Sequence, residues 1–382
     1  MKLSQRISQV ETSRTVRFSS LIDKMKREGR EIINFAVGEP EYETPEHIRQ
    51  AVKAALDRGE TRYGPVAGLH ELRSALSRPF AGYGPENILV ANGSKQILYN
   101  IFQVICDPGD EVIIPSPYWV SFSQQVILAG GKPVLVNTRN HQLDYDAVEK
   151  AVTAKTAAIL VNSPNNPTGA VYPKNDLKRI ADLARKHALW LISDEAYEFF
   201  LYDGLRFESL FAFENIRNRV IVVKSFSKSC SMTGFRIGYA AGPKEIVAAM
   251  SKLQSHATGN VCTFAQHGAL AALSLDQTII SARRAELEKK RDIAYGYLSE
   301  IFYCIRPQGA FYLFPDISGY LRTGETDEDF SAYLLEHAGV AVVPGQAFGQ
   351  EKHIRISYAV PEKDLIRGLE SIRQALDRKG QS

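Results

Sequence analysis

A lysine and an arginine eight residues apart, set among hydroxyl side chains, are the residues of this chain best suited to chemistry. Lys228 and Arg236 lie in the segment VKSFSKSCSMTGFRIG (223–238), which begins at the end of the β-branched run 220–223. A lysine amine can attack an aldehyde, and the planar guanidinium of an arginine matches the geometry of a phosphate. Because ligands of open α/β sheets bind at the carboxyl ends of strands, this segment predicts a site for a phosphorylated aldehyde.

Other strand ends supply side chains that complement this pair. Gly93, Ser94 and Lys95 form a turn between a strand and a helix, and backbone amides at a helix N-terminus bind anions. Trp119 follows the next strand, where an indole can stack on a flat ring. Asp194 ends a later strand among apolar residues, where a buried carboxylate requires a positive partner. The structural alternatives are an ordinary turn for Gly93, Ser94 and Lys95, a core position for Trp119 and a helix N-cap for Asp194.

Together the strand ends fit a single ligand. The turn NSPNNPTG (162–169) adds three asparagine side chains whose amides can be aimed at it. Each segment alone also fits a loop without function, but the whole set is improbable by chance. The set combines a phosphate at Ser94, Ser225 and Arg236, a flat ring against Trp119, a protonated ring nitrogen at Asp194 and an aldehyde at Lys228. Pyridoxal 5'-phosphate has all of these features, so it is the expected cofactor.

The pattern of apolar residues predicts an α/β protein with a mostly parallel sheet of seven strands. From about residue 86 to 240, short β-branched runs alternate with helical patterns such as 96–105 and 177–187, which is typical of a doubly wound sheet. The expected strands are 88–91, 111–114, 133–136, 157–161, 190–193, 220–223 and 237–240.

The length and the change of pattern near residue 285 predict two domains. A chain of 382 residues exceeds the ~250 to 300 residues at which one hydrophobic core stops growing. We expect a large domain over 41–284 and a smaller α+β domain built from 1–40 and 285–382. The smaller domain is expected to contain charged helices at 285–302 and 364–377 and short strands at 311–314 and 353–357.

The composition argues against nucleic-acid and membrane roles. The chain has 46 basic and 43 acidic residues and a net charge of +3, and no one-sided basic stripe marks a nucleic-acid footprint. No apolar run approaches the ~20 residues that span a bilayer, and the N-terminus lacks the apolar core of a secretory signal. The four cysteines form no CxxC pair, which disfavours a zinc site. We therefore expect a cytoplasmic protein without a bound metal.

Several segments closely resemble those of the class I aminotransferases, which are pyridoxal-phosphate enzymes of fold type I. The resemblance covers nearly the whole chain, is nearest to the bacterial aspartate aminotransferase branch, and implies the α/β fold type I architecture. The matching segments are AVGEPEYETP, TRYGPVAGLHELR, DPGDEVIIPSPYWVSF, NSPNNPTGAVY, ISDEAYE, SFSKSCSMTGFRIGY, GAFYLFP, GVAVVPGQAFG and HIRISYA.

The resemblance implies a role for each matching residue near the cofactor. Lys228 would bond to the cofactor aldehyde and act in catalysis with Asp194 and Tyr197. Asp194 would keep the ring nitrogen protonated, while Tyr197 and Asn166 would hydrogen-bond the phenolic oxygen of the ring. The other cofactor-binding residues would be Gly93, Ser94, Lys95, Ser225 and Arg236 around the phosphate, Trp119 on the ring, and Tyr63, which would reach the phosphate in the partner subunit.

The resemblance also implies how a substrate binds. Arg355 in HIRISYA would hold the substrate α-carboxylate bidentately, a geometry that lysine cannot reproduce. Gly38 would line the same pocket through its backbone, and Trp119 and Asn166 would also face the substrate. Because Tyr63 would reach across to the other subunit, a homodimer is implied.

The expected reaction moves an amino group between an L-amino acid and a 2-oxo acid by a ping-pong mechanism. Aspartate with 2-oxoglutarate is the leading pair, while aromatic amino acids, prephenate, glutamine or kynurenine, and alanine stay open. No arginine for a distal carboxylate is evident; Arg17 is a candidate, and SHATGNVCTF (255–264) departs from the serine–asparagine–proline usual in the branch. A pyridoxal-phosphate-dependent lyase and a cofactor-sensing regulatory module are the alternatives of other classes.

Overall fold

The computed structural model describes residues 4–10, 22, 25 and 27–381. The strands are β1 (Ile33–Asn34), β2 (Ile88–Ala91), β3 (Glu111–Ser116), β4 (Lys132–Asn137), β5 (Thr156–Asn162), β6 (Trp190–Asp194), β7 (Val220–Ser225), β8 (Gly238–Ala241), β9 (Tyr312–Leu313), β10 (Val340–Ala341), β11 (Val343–Pro344) and β12 (Ile354–Ser357). The α-helices are α1 (Gln5–Ser8), α2 (Glu46–Asp57), α3 (His70–Ser77), α4 (Ser94–Ile105), α5 (Ser121–Leu128), α6 (Tyr145–Ala151), α7 (Lys174–Lys186), α8 (Lys244–Ala257), α9 (Thr263–Ala272), α10 (Gln277–Ser299), α11 (Asp327–His337) and α12 (Glu362–Gln381). Short 3-10 helices lie at Pro85–Asn87, Leu210–Ala212, Glu214–Arg219, Thr233–Phe235, Ser318–Tyr320 and Gly345–Phe348.

A seven-stranded sheet in the order β2–β8–β7–β6–β5–β3–β4 forms the centre of the described structure. Strand β8 is antiparallel to both of its neighbours, β2 and β7, and the remaining pairs are parallel. The predicted mostly parallel sheet is confirmed. Several strands run farther than predicted, because backbone pairing continues through polar side chains: Ser116 pairs with Asn137, and Ser225 pairs with Gly238.

The sheet is buried on both faces, as parallel sheets with helices on each side are. Along β2, Ile88 and Val90 belong to one apolar cluster, and Leu89 and Ala91 belong to another. Side chains alternate between the faces of a strand, so these two clusters are the cores above and below the sheet. The β-branched runs of the sequence are therefore continuous because both faces need apolar residues.

A third apolar cluster joins the two ends of the chain. It contains Ile33 and Phe35 together with residues between Leu287 and Leu376, and β1 pairs in parallel with β10. A separate three-stranded antiparallel sheet has the order β11–β12–β9. Helix α10 runs without a break across the expected boundary at residue 285. The division into 41–284 and 1–40 with 285–382 stays a prediction.

Within the described ranges, no helix is both long and apolar enough to cross a membrane. The same part of the chain contains no group of three or more His, Cys, Asp or Glu residues placed to hold a metal ion.

Replacing Gly368 with alanine tests the contact between the C-terminal helix and the N-terminal segment. A Cβ at Gly368 in α12 would overlap the ring of Phe35, which is fully buried. Overpacking of this kind costs about 1–3 kcal/mol, so we expect a lower thermal midpoint of unfolding by calorimetry. Gly296→Ala is the matched control, because a Cβ there in α10 would meet nothing within 4 Å. The control should stabilise the protein through helix propensity, and equal effects of the two changes would contradict the proposed contact.

Candidate active site

A cavity of about 660 Å³ lies at the carboxyl ends of the central strands. Asn162, Asp194 and Ser225 are the last residues of β5, β6 and β7, and all three line it. Residues from the chain ends complete the wall. The predicted site residues among the lining are Gly38, Ser94, Lys95, Trp119, Asn166, Asp194, Tyr197, Ser225, Lys228, Arg236 and Arg355.

Gly93 allows the turn before α4 to approach Arg236 closely. Its φ is +80°, and a Cβ at this position would lie 2.7 Å from Arg236 Nη2. Arg236 itself has a left-handed backbone with φ 57°. Gly238 makes the second close approach, because a Cβ there would lie 2.5 Å from the amide nitrogen of Ser94. The guanidinium and the first amides of α4 are thus brought to one corner of the cavity.

That corner has the donors that an anion needs. Arg236 Nη1 donates to the Thr233 carbonyl at 2.7 Å, and Nη2 lies 3.5 Å from the Asn92 carbonyl. Ser225 Oγ accepts from the amide of Ser227 at 3.1 Å, which leaves its hydroxyl hydrogen to donate into the cavity. Together with the N-terminus of α4, these groups form a cradle for a phosphate.

Asp194 is a buried carboxylate with few neighbouring groups that offset the cost of burying its charge. It is 4% exposed, and its Oδ1 accepts from the amide of Ala196 at 3.2 Å. Burial raises the pKa of Asp194 to about 7; the Ala196 bond opposes that shift, Glu195 adds to it, and Lys228 opposes it. A cationic partner in the cavity would therefore hold this carboxylate in its charged form.

Lys228 faces Asp194 from the loop after β7. Its amine donates a hydrogen bond to the Gly38 carbonyl. Burial lowers the pKa of Lys228 to about 8, Glu39 and Asp194 oppose that shift, and Arg355 and Arg236 add to it. The amine is therefore neutral over a much larger part of the physiological range than an exposed lysine, as a nucleophile or general base requires.

Arg355 on β12 also lines the cavity and is buried, with 5% exposure. It donates to Asn166 Oδ1 at 3.1 Å and to the Ala36 carbonyl at 2.8 Å. Its guanidinium lies 4.4 Å from the ring centroid of Tyr312. The Nε atom is buried and has no hydrogen-bond partner. A buried guanidinium with a donor to spare can bind a carboxylate.

Tyr312 is a site residue that the sequence reasoning missed. Its hydroxyl lies 2.9 Å from the hydroxyl of Tyr197, and its ring lies under Arg355. Tyr312 belongs to the matching segment GAFYLFP, and that motif was the available signal. The structure also brings Asn162, Ser227, Thr233 and Glu39 to the cavity, and Thr233 Oγ1 donates to Glu39 Oε2 at 2.7 Å.

Trp119 is half-buried at the cavity wall, where it packs edge-on against Phe122 with ring centroids 5.4 Å apart. The amine of Lys95 lies 4.9 Å from the centroid of the Trp119 ring. Burial lowers the pKa of Lys95, and the charge of Arg236 adds to that shift. The side chain of Lys95 thus places a further cation in the cavity.

The two remaining expected residues are Tyr63 and Arg17. Tyr63 is fully exposed and does not line the cavity. Arg17 lies outside the described residues.

The described residues fit pyridoxal 5'-phosphate. The cradle that a Cβ at Gly93 would fill suits a phosphate, Asp194 suits a protonated ring nitrogen, and Lys228 suits an aldehyde. The cofactor supplies an aldehyde that condenses with amines and a conjugated ring that takes up electrons.

Replacing Gly93 with alanine tests the phosphate cradle. The new Cβ would displace the Arg236 guanidinium, so we expect the Kd for pyridoxal 5'-phosphate to rise at least about tenfold, or ~1.4 kcal/mol. The Kd for pyridoxal, which lacks the phosphate, should change little. Absorbance titration of cofactor-free enzyme measures both.

Gly82→Ala separates backbone strain from displacement of the arginine. Gly82 has nearly the same φ, +82°, but a Cβ there would meet nothing within 4 Å. Its Kd for the cofactor should equal that of the original protein. An equal rise in both variants would show that Arg236 has no part in the effect.

Comparison with known proteins gives the family. The model of the family "Aminotransferase class I and II" matches residues 30–372. The chain is 42% identical to a probable aspartate/prephenate aminotransferase of Aquifex aeolicus, over 98% of each chain, and 39% identical to the aspartate aminotransferase of Geobacillus stearothermophilus, over 99% of this chain and 100% of the relative. The solved structure of the Thermus thermophilus aspartate aminotransferase with maleate has a TM-score of 0.93 and 40% identity, covering 98% of this chain and 100% of that one. This chain therefore belongs to the class I and II aminotransferases and is a pyridoxal-phosphate-dependent transaminase.

Proposed function

We propose that this aminotransferase moves the amino group of aspartate to a 2-oxo acid such as 2-oxoglutarate. The observation that carries the proposal is the convergence of Lys228, Asp194 and Arg355 on one cavity. Several relatives at about 40% identity are named aspartate aminotransferases. The relatives named aspartate/prephenate aminotransferases favour prephenate as a second substrate.

Lys228 is the proposed catalytic residue. Its amine, with a pKa near 8, would hold the cofactor through its aldehyde and would serve as the acid–base group for the substrate Cα proton. A neutral amine can accept this proton, and the resulting ammonium can release it again. The carbonyl of Gly38 accepts a hydrogen bond from the amine and so holds it at the cavity.

Asp194 and two neighbours are proposed to hold the cofactor ring in its reactive state. Asp194 keeps the ring nitrogen protonated, because a charged carboxylate at this buried position requires a cation. Tyr197 and Asn166 donate to the phenolic oxygen of the ring. Tyr197 is supported for this role by its burial and by its bond to Tyr312.

Arg355 is the proposed binding group for the substrate α-carboxylate. Its unpartnered Nε and its contact with Asn166 support this role, because a bound carboxylate would complete the hydrogen bonding of the guanidinium. Gly38 and Trp119 line the same cavity.

Lys95 is the proposed partner of the second carboxylate of aspartate. Arg236 is assigned to the phosphate cradle, Lys228 to the aldehyde and Arg355 to the first carboxylate, so Lys95 is the remaining cation among the described residues of the lining. Its position over Trp119 supports this assignment. The Thermus relative was solved with maleate, which carries two carboxylates.

The active unit is proposed to be a homodimer in the cytoplasm. Tyr63 is fully exposed in one subunit, as expected for a side chain that reaches the cofactor phosphate of a partner. A second cavity of about 770 Å³ adjoins the first and shares Glu39, Thr233 and Arg236 with it. The four cysteines are free, which suits a reducing compartment.

Lys228→Ala tests the proposed reaction. We expect transamination of aspartate to fall by at least about 10²- to 10⁴-fold, because both the covalent and the proton-transfer roles are lost. The visible absorbance of the bound cofactor should also disappear. Lys174→Ala is the control, since Lys174 is a surface residue with a side chain 62% exposed. Full activity of the Lys228→Ala variant would refute the assignment of Lys228. Release of pyruvate and ammonia by the original protein without an acceptor acid would favour a lyase.

Lys95→Met tests the proposed acidic substrate. Loss of a charge-assisted hydrogen bond of about 1.5–3 kcal/mol should lower kcat/KM for aspartate and prephenate roughly 10- to 150-fold. The value for phenylalanine, which has no second carboxylate, should change less than about threefold. Lys95→Arg should retain most of the aspartate activity. An equal loss for aspartate, prephenate and phenylalanine would instead assign Lys95 to the cofactor.

A further inference from the structure

Three charged side chains form a buried cluster on the face of the sheet that is turned away from the cavity. Lys224 forms ion pairs with Glu198 and, at 3.4 Å, with Glu195 Oε2. Glu195 Oε1 accepts from Ser193 Oγ at 2.9 Å and from Ser209 Oγ at 2.5 Å. We call Lys224, Glu195 and Glu198 the back-face cluster.

The strand geometry places this cluster directly behind the cofactor site. Ser193 and Glu195 bond to each other across Asp194, so their side chains lie on the opposite face from the Asp194 carboxylate. In the same way, Lys224 on β7 directly precedes Ser225, which lines the cavity, so the side chain of Lys224 lies on the other face of the sheet. One backbone layer therefore separates the cluster from Asp194.

The cluster is shielded from water. The side chains of Glu195, Lys224 and Glu198 are 1%, 15% and 17% exposed. The Lys224 amine also lies 5.8 Å from the ring centroids of Phe80 and of Phe207. Charges in such surroundings act over longer distances than surface charges, because solvent screens them less.

With both carboxylates ionised, the back-face cluster carries a net negative charge, because it has only one ammonium. Burial raises the pKa of Glu195, and the charge of Lys224 opposes that shift. The groups that face Asp194 are Glu195 on this side and Lys228 on the cavity side, and Glu195 adds to the raised pKa of Asp194. Lys224 faces both glutamates and the buried Tyr239 on β8. The nearest carboxylate behind the site is therefore that of Glu195, which shares the single ammonium of Lys224 with Glu198.

We propose that Glu195 is a positioning residue that raises the proton affinity of the groups bound to the cofactor, namely the ring nitrogen beside Asp194 and the nitrogen of Lys228. It does so through its charge, without touching substrate or cofactor. The inference rests on the proposed attachment of the cofactor to Lys228. A negative charge behind the sheet favours the protonated form of each nitrogen, so its removal shifts protonation to lower pH.

The test is a pH titration of the visible absorbance of the loaded enzyme, which reports protonation of the nitrogen joined to Lys228. Glu195→Gln keeps an amide oxygen that accepts from Ser193 and Ser209, and Lys224 keeps Glu198. We expect the midpoint to fall by about one pH unit, a tenfold loss of proton affinity. A variant with a merely structural defect would lose stability without this directed shift.

Three further variants make the outcome decisive. Glu214→Gln removes the same charge from a side chain that is 82% exposed, and it should titrate like the original protein. Glu195→Asp retains the charge, so its midpoint should stay close to that of the original protein. Glu198→Gln leaves Glu195 in place and should shift the midpoint in the same direction by less, which keeps the inference testable if Glu195→Gln does not fold.

An unshifted midpoint in Glu195→Gln, or in Glu198→Gln where the former does not fold, would overturn the inference. If the original protein shows no visible absorbance that depends on Lys228, the proposed function itself fails. The two failures are therefore distinguishable in one set of titrations.

Discussion

The structure depends most on the buried carboxylate of Asp194 at the end of β6. A charge at 4% exposure costs several kcal/mol unless a cation compensates it. Lys228 is a cation of the cavity that acts on Asp194, but burial has brought the pKa of Lys228 down to about 8 while that of Asp194 has risen to about 7. A group that binds between Asp194 and Lys228 can therefore exchange a proton with either side chain. A cofactor with a protonatable ring nitrogen and an aldehyde uses both of these properties.

This charge arrangement requires unusual backbone geometry next to it. The phosphate cradle needs the guanidinium of Arg236 against the turn at Gly93, and an ordinary side chain at Gly93 would fill that space. Arg236 itself has a positive φ, a conformation that is uncommon outside glycine. Strain of this kind persists only where the surrounding structure enforces it. Strands β2 and β8, which pair antiparallel, hold the two segments together.

Much of this could be predicted from the sequence, because the seven strands have apolar runs and the polar site residues follow them directly. The strand ends were less predictable, since Ser116, Asp194 and Ser225 have polar side chains but continue the backbone ladder. Contacts between distant segments were not predictable. Tyr312 meets Tyr197 only because β9 packs against the segment that follows β6, and no local pattern encodes that approach.

Glu195 shows the same limit more sharply. In the sequence Glu195 directly follows Asp194, and no pattern there indicates that its carboxylate packs against Lys224. The alternation of side chains along β6 decides this, and the partner Lys224 comes from the neighbouring strand. The chemistry of the site is therefore set by two layers of charge, and only the layer that contacts ligands has a recognisable motif.

One short backbone segment, residues 36–38, constrains the spacing between Arg355 and Lys228, the two cations proposed to face the substrate. Arg355 donates to the carbonyl of Ala36, and Lys228 donates to the carbonyl of Gly38. These cations come from parts of the chain more than a hundred residues apart, yet both hold the same stretch of backbone. The geometry of residues 36–38 therefore constrains the distance between the guanidinium of Arg355 and the amine of Lys228, which are the proposed carboxylate-binding group and the proposed reactive amine.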